Sequence, residues 1–348
     1  MDFLCQVRRT WYTTRESVNR TGDKEMEKMT YGSIELLPQP ASRIVLGTAS
    51  DPIAAGENAD ALFDGAVERG INFFDTARSY GRAEEVLGDW IRRRGNREQI
   101  IVLTKCGDIR NGVVKVDRGV IREQLETSLK TLGTDYVDVL LLHRDDPDTP
   151  VGEVMETLHE VKREGNVCLY RVSNWTVDRI REANRYAYQN RIEDFSVSSP
   201  NYSLALQMDD MFGGGCVSVS GPDHREDRDW YEQTRMPVVS YSSLARGFFS
   251  GKFSSDDPEG AKRVLDIYAQ KGYLYPENLL RLKRAEELAR QKGLTVPEIA
   301  MRFVFANRMN MFAVVSTTKP ERLDSSIRAA ANPLTAAEAE WLETGENT

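Results

Sequence analysis

The sequence predicts an α/β fold: a (β/α)8 TIM barrel with an N-terminal extension and a helical insertion after the seventh strand. Three observations predict it. Short apolar runs of strand type recur eight times, and each leads into a helical pattern or a connecting loop. The 348 residues accommodate one barrel of about 250 residues with extensions. Three of the runs stop at a side chain capable of chemistry: 71–74 at Asp75, 100–104 at Lys105, and 137–142 at His143. Parallel sheets and barrels bind ligands at the carboxyl ends of their strands. Successive strands that end on reactive groups therefore suit one closed barrel with one rim.

Residues 1–40 are polar, Arg-rich and without apolar periodicity, so a poorly ordered extension with no function of its own is expected there. The barrel is expected over 41–348. Its first strand, 44–46, leads to Gly47-Thr48 and a helix over 58–69. The strand at 71–74 reaches Asp75, with Tyr80 in the adjoining loop before Gly81. A helix follows over 83–94, where Val86, Leu87, Trp90 and Ile91 fall at helical spacing. The 100–104 strand precedes a helix over 117–131, with Val120, Ile121, Leu125 and Leu129 on one side. The 137–142 strand precedes a helix over 151–164 that Gly165 closes. A fifth strand, 167–172, runs into Ser173-Asn174-Trp175 and a helix to about 188. The sixth, 195–197, enters Ser198-Ser199-Pro200-Asn201-Tyr202, and the seventh, 238–241, enters the Ser242 to Gly247 turn. The eighth, 312–315, opens into Ser316-Thr317-Thr318 and a helix starting near Pro320. Residues 253–293 are too many for a plain connection. Their second half, 277–291, reads as an extra helix, so the insertion borders the barrel mouth.

Bulk properties remove several function classes. A formal net charge of −8 argues against nucleic-acid binding, which needs a basic face. No run approaches the ~18 apolar residues of a membrane span, and no apolar leader follows the first residues, so a cytoplasmic protein without a membrane partner is expected. Cys5, Cys106, Cys168 and Cys216 lack paired spacing, which suits reduced thiols better than disulfides or a metal site. With only His143, His159 and His224 present, no zinc centre is expected.

The chemistry of the rim can be read before any family. A phenol with a pKa near ~10 is a poor acid or base at neutral pH. An ammonium beside it favours the phenolate, so Lys105 is expected to activate Tyr80, with Asp75 holding Lys105 by an ion pair. The imidazole of His143 can donate to a substrate oxygen and polarise it. Such a set suits proton transfer to a carbonyl oxygen as hydride reaches its carbon. It suits acyl transfer poorly, because no Gly-x-Ser-x-Gly accompanies it. Each residue alone has a plainer reading: a helix cap, a solvated lysine, a structural histidine, a loop aromatic. Four together at the ends of successive strand-helix units favour a site.

The run Phe74-Asp75-Thr76-Ala77-x-x-Tyr80-Gly81, followed by Thr104-Lys105, Leu140-Leu141-Leu142-His143 and Val172-Ser173-Asn174-Trp175, resembles the aldo-keto reductase superfamily. The likeness extends over about 42–331. It implies a (β/α)8 barrel that binds a nicotinamide dinucleotide, usually NADP(H) with NAD(H) the alternative, without a Rossmann fold. The absence of Gly-x-Gly-x-x-Gly agrees with that. By the resemblance, Tyr80 is the general acid, Lys105 and Asp75 tune it, and His143 orients the carbonyl of a small-molecule substrate. Ser173 and Asn174 would hold the carboxamide, and Tyr241 would stack on the nicotinamide. Ser242, Leu244 and Arg246 would lie along the pyrophosphate, with Gly47 and Thr48 nearby. Thr317 and Arg322 match positions that meet the 2′-phosphate, and a guanidinium and a hydroxyl near a helix start are good partners for one.

The sequence departs from the pattern in places. Ser199 stands where many members carry a carboxamide-binding Gln, and Ser316 and Ser326 replace residues that flank the adenosine phosphate. Arg171 takes the place of a Gly. Two local matches are set aside: His143-Arg144-Asp145 lacks the rest of a kinase signature, and Gly213-Gly214-Gly215 lacks the Lys-Ser/Thr of a phosphate loop and reads as a flexible loop. The acidic run Asp145, Asp146, Asp148 reads as a solvated face or helix-start device that could disfavour anionic substrates. The sequence thus expects an oxidoreductase that interconverts a carbonyl and an alcohol. The alternative from another class is a cofactor-sensing regulatory subunit, such as the potassium-channel β-subunits. Specificity is expected in the loop after Thr48, in 203–230 and in the insertion after Gly251.

Overall fold

Eight parallel strands close on themselves in the computed structural model, which describes residues 28–109 and 112–346. They are β3 (Ile44–Gly47), β4 (Phe73–Asp75), β5 (Ile101–Cys106), β6 (Val137–Leu142), β7 (Val167–Ser173), β8 (Ser198–Ser199), β9 (Pro237–Ser240) and β10 (Asn310–Val315). Neighbours in sequence are neighbours in space, and β10 pairs with both β9 and β3 to seal the ring. Strand side chains alternate between two faces. Leu103, Val139, Leu141, Leu169, Val239 and Phe312 form one apolar cluster that fills the lumen. Phe74, Val102, Leu140, Leu142, Tyr170 and Val172 belong to a second, larger cluster against the surrounding helices. Those helices include α1 (Asp51–Ala54), α2 (Asp60–Glu68), α3 (Ala83–Arg94), α4 (Arg118–Leu132), α5 (Val151–Arg163) and α6 (Val177–Asn190). Among the described residues no helix is long and apolar enough to cross a membrane.

The amino ends of the strands are stoppered. β1 (Tyr31–Gly32) and β2 (Ala41–Ser42) pair antiparallel, and the loop between them buries Ile34 and Leu37 against the lumen cluster. Asn72 fastens this hairpin, accepting from the Ser42 amide at 2.8 Å and donating to the Pro40 carbonyl at 2.9 Å. The looseness expected of 1–40 therefore does not extend to 28–40, whose two apolar side chains have a lumen to fill. Residues 1–27 lie outside the described residues.

Other boundaries shift for local reasons. The sixth strand is not at 195–197. Asn184 of α6 binds both the amide and the carbonyl of Phe195, at 2.8 and 2.9 Å, so ladder pairing starts only at Ser198. Tyr241 lies just past β9, its amide bonded to the Pro200 carbonyl. The helix α7 (Arg225–Thr234) falls in a stretch to which the sequence assigned no element, and the insertion holds three helices rather than one: α8 (Pro258–Val264), α9 (Ile267–Tyr273) and α10 (Pro276–Lys292). The caps of α8 and α9 are Asp257 and Asp266, whose side chains accept from Gly260 and Ala269. The ring is completed by α11 (Val296–Val304) and α12 (Leu323–Ala331), and α13 (Ala336–Thr344) follows.

Arg171, inward on β7 where a glycine would pass unnoticed, has no exposed side-chain surface. Its guanidinium reaches Glu193 at 2.9 Å and the Tyr170 carbonyl at 2.6 Å, and Glu193 also pairs with Lys162. Two of its nitrogens, Nε and Nη2, find no partner. A buried ion pair of this kind is held more by the penalty of breaking it than by any net gain. Glu193→Leu should therefore lower unfolding free energy by about 3–5 kcal/mol. The double variant Arg171→Met/Glu193→Leu should recover most of the loss. Urea denaturation of both variants checks this, and losses that simply add would show the pair to be uncoupled.

Candidate active site

Register brings the reactive groups together. Asp75, the last residue of β4, lies opposite Leu103 of β5, so Lys105 is two residues further along on the same face. The His143 amide bonds to the Cys106 carbonyl at 2.6 Å, which sets the imidazole at the end of β6 beside Lys105. Tyr80 sits in a tight turn, its amide bonded to Ala77 and the Arg82 amide bonded to Ala54 of α1. Gly81 allows this packing: its φ is +58°, and a Cβ there would lie 2.5 Å from the Ala54 carbonyl oxygen.

Lys105 is the centre of the cluster. Its Nζ donates to Asp75 Oδ1 at 2.6 Å and to the Thr76 carbonyl at 2.9 Å, and it lies 4.7 Å from the centroid of the Tyr80 ring. The side chains of Lys105 and Asp75 are only 5 % and 6 % exposed. The Tyr80 and His143 rings meet edge to face with centroids 5.8 Å apart. Phenol, ammonium, carboxylate and imidazole thus share one rim.

The electrostatics follow from burial and pairing. Burial pushes the Tyr80 phenol up, Asp75 adds to that, and the opposing pull of Lys105 does not reverse it, so Tyr80 stays protonated. Burial alone would lower Lys105, but Asp75 and Tyr80 together outweigh it and raise its pKa. Burial likewise pushes the Asp75 carboxyl up against the pull of Lys105. His143 is driven down to about 3, by burial first, and is a neutral imidazole at neutral pH.

Several neighbours escaped the sequence reading. Asp108 Oδ2 lies 3.5 Å from His143 Nδ1, and Ser79 Oγ lies 3.4 Å from the same nitrogen, so a carboxylate and a hydroxyl flank the ring. Their adjacency to Lys105 and Tyr80 in sequence was the available signal. Asn201, fully buried, donates to the Tyr273 hydroxyl at 3.0 Å and accepts from Ser218 at 2.9 Å, tying three loops together. Asp145 pairs with Arg179, and the nearly buried Asp146 accepts from Thr149 at 2.7 Å, so these two are structural rather than a solvated acidic face. Gly213–Gly215 is an ordered turn whose amides at Phe212 and Cys216 donate to Asp210 at 2.9 and 3.0 Å.

A sequence model of the aldo/keto reductase family matches residues 43–344. The chain belongs to the aldo/keto reductase family. It is also similar to the aldo-keto reductase str7 of Strobilurus tenacellus, with 25 % identity over 284 residues that cover 80 % of this chain and 77 % of the relative. Aldo/keto reductases are generally NAD(P)H-dependent oxidoreductases.

The residues expected around a cofactor in this aldo/keto reductase lie at or just beyond the carboxyl ends of β3, β7, β8, β9 and β10, apart from Ser326. Gly47 closes β3, and its carbonyl accepts from Ser316 at 3.2 Å. The Thr48 hydroxyl donates to the Asp75 carbonyl at 3.1 Å and so braces β4. Ser173 donates to the Ser199 carbonyl at 2.8 Å. The side-chain amide of Asn174 is fully engaged: it donates to the His143 carbonyl (3.0 Å) and Ser173 (3.1 Å), and accepts from the Tyr241 hydroxyl (2.7 Å) and the Val217 amide (3.1 Å). Ser242, Ala245 and Arg246 adopt positive φ in the turn after β9 that also carries Leu244, a concentration of backbone strain typical of ligand sites. Arg246 itself is turned to Asp266, at 2.6 Å, with its guanidinium 5.4 and 5.5 Å from the Phe212 and Tyr268 rings. Thr317 bonds to the backbone of Lys319, and Ser326 is buried on α12. Arg322 is exposed and has no ion-pair partner among the described residues.

Asp75→Asn leaves the Lys105 ammonium buried without its counter-ion, and should cost about 3–5 kcal/mol in chemical denaturation at neutral pH. A loss below about 1 kcal/mol would mean that Lys105 keeps its charge without the carboxylate. For His143, the unfolded chain binds the extra proton at pH values below about 6.5 while the folded one does not until about 3. Stability contributed by this group therefore falls as pH drops through that window, by up to about 1.4 kcal/mol per unit. His143→Gln should show a correspondingly shallower acid slope when denaturant midpoints are followed from pH 6.5 to 4.5.

Proposed function

We propose that this protein interconverts an aldehyde or ketone and the alcohol with NADP(H), Tyr80 being the general acid. The observation that carries the reading is the protonated phenol held by a buried Lys105–Asp75 pair and set edge-on to a neutral imidazole. In the reductive direction the carbonyl carbon gains a hydride and its oxygen gains the Tyr80 proton. The bound dinucleotide supplies that hydride. Lys105 stabilises the phenolate left behind, because its ammonium lies against the Tyr80 ring and its charge favours the ionised form, and Asp75 keeps it from moving. His143, fixed by Cys106, Ser79 and Asp108, bounds the position of the substrate oxygen.

The cofactor set fits in chemical kind. Arg322, exposed and without an ion-pair partner among the described residues, stands at the start of α12 in the connection that also carries Thr317, and suits a 2′-phosphate. Ser242, Leu244 and Arg246 on the strained turn suit a pyrophosphate, with Arg246 exchanging Asp266 for it. Tyr241, whose hydroxyl donates to Asn174 next to Ser173 and Ser199, suits the nicotinamide and its carboxamide, and Gly47, Thr48 and Ser326 complete the set.

Tyr80→Phe should reduce carbonyl turnover about 10²–10⁴-fold, while quenching of tryptophan fluorescence by NADPH is retained. Undiminished turnover by that variant would overturn the assignment.

A further inference from the structure

Arg144 directly follows His143, and its place in the mouth is unlike that of any other cation there. It is 5 % exposed. One nitrogen, Nη1, donates to the His143 carbonyl at 3.2 Å, and Nε is buried without a partner. Among the described residues no carboxylate forms an ion pair with it. Those nearby are otherwise committed: Asp145 to Arg179, Asp210 to the Phe212 and Cys216 amides, and Asp108 toward His143. Its charge acts on His143 and Asp108 and on Cys216 and Tyr241. The loop above packs over it: a Cβ at Gly215 would be 3.9 Å from Arg144 Cδ, and the Phe212 ring centroid is 5.8 Å from its guanidinium carbon.

A buried guanidinium without a counter-ion carries a desolvation cost that a single carbonyl contact does not offset. Its planar fork matches an oxyanion better than any neutral group. We propose that Arg144 receives an anionic group of the substrate, so that the carbonyl compound reduced at Tyr80 bears a carboxylate or phosphate. This rests on the reductase reading above. It also reverses the weight given to the acidic run after His143, since Asp145 and Asp146 are paired and Arg144 is not.

The test compares charged and neutral aldehydes of like shape: 4-carboxybenzaldehyde against methyl 4-formylbenzoate, and glyceraldehyde 3-phosphate against glyceraldehyde. In the wild type, kcat/KM should favour the charged member of one pair at least tenfold, and which pair it is identifies the oxyanion. Arg144→Gln should bring that ratio close to one, and Arg144→Lys should restore part of it. The ratio discounts any general loss from disturbing the His143 carbonyl. A wild-type ratio near or below one, or a ratio unchanged in Arg144→Gln, overturns the proposal. Absence of turnover with all four aldehydes would sink the reductase reading instead, and the anion site is then judged by equilibrium binding. Trp175, whose Nε1 bonds to the Arg144 carbonyl at 3.3 Å, is the reporter. Titration with 4-methylbenzoate and with inorganic phosphate should quench it at least tenfold more tightly in the wild type than in Arg144→Gln. No such difference with either anion overturns the proposal.

Discussion

An ammonium and a carboxylate buried together at the end of two neighbouring strands are the constraint on which this structure turns. Lys105 donates to Asp75 and to the Thr76 carbonyl, and its ammonium lies 4.7 Å from the centroid of the Tyr80 ring. Burial of charge is tolerable only when it is paired, because an incompletely paired ion in the interior costs several kcal/mol. The pairing that keeps the ammonium stable also sets it beside the phenol.

The barrel makes that constraint affordable. Parallel pairing of β4 with β5 sets Lys105 two residues beyond the position opposite Asp75, and a one-residue slip would turn either side chain out of the mouth. The lumen cluster beneath, capped by Ile34 and Leu37, gives the strands no room to slide. Stability and chemistry are thereby separated along the barrel axis. Packing and the hairpin hold the amino end, while strained turns, paired charges and an open guanidinium occupy the carboxyl end.

How much of this was legible follows from what each feature depends on. The helix over 83–94 carries its period openly in Val86, Leu87, Trp90 and Ile91, and it appears at the expected residues. Asp75, Lys105 and His143 could be found because a polar side chain that abruptly ends an apolar run is a local signal. The strand at 198–199 could not be placed, because Asn184, eleven residues away, decides where Phe195 bonds. The plug at 28–40 looks like surface in sequence, since two apolar residues suffice to stopper a lumen. The proximity of Lys105 to Tyr80 can be read from order along the chain, whereas the burial that raises the phenol's pKa is a property of the whole assembly. Arg171 became intelligible only with Glu193, a partner in the loop beyond the far end of α6.

Asn174 shows how closely the two sides of the mouth are joined. Its amide binds the His143 carbonyl on the catalytic side and the Tyr241 hydroxyl on the side proposed for the nicotinamide. The backbone at Asn174 is left-handed, with φ at 59°, a conformation that asparagine tolerates better than most residues and that aims the side chain between the two. Every polar atom of this amide is in use, so a carboxamide that binds here must take the place of one of the four partners. The Val217 amide, on a loop, is the partner that can yield at least cost to the barrel. Release of Val217 would free the 216–219 segment from Asn174 while Asn201 still held it at 2.8 and 2.9 Å. That segment ends beside the Cys216 and Gly215 turn next to Arg144.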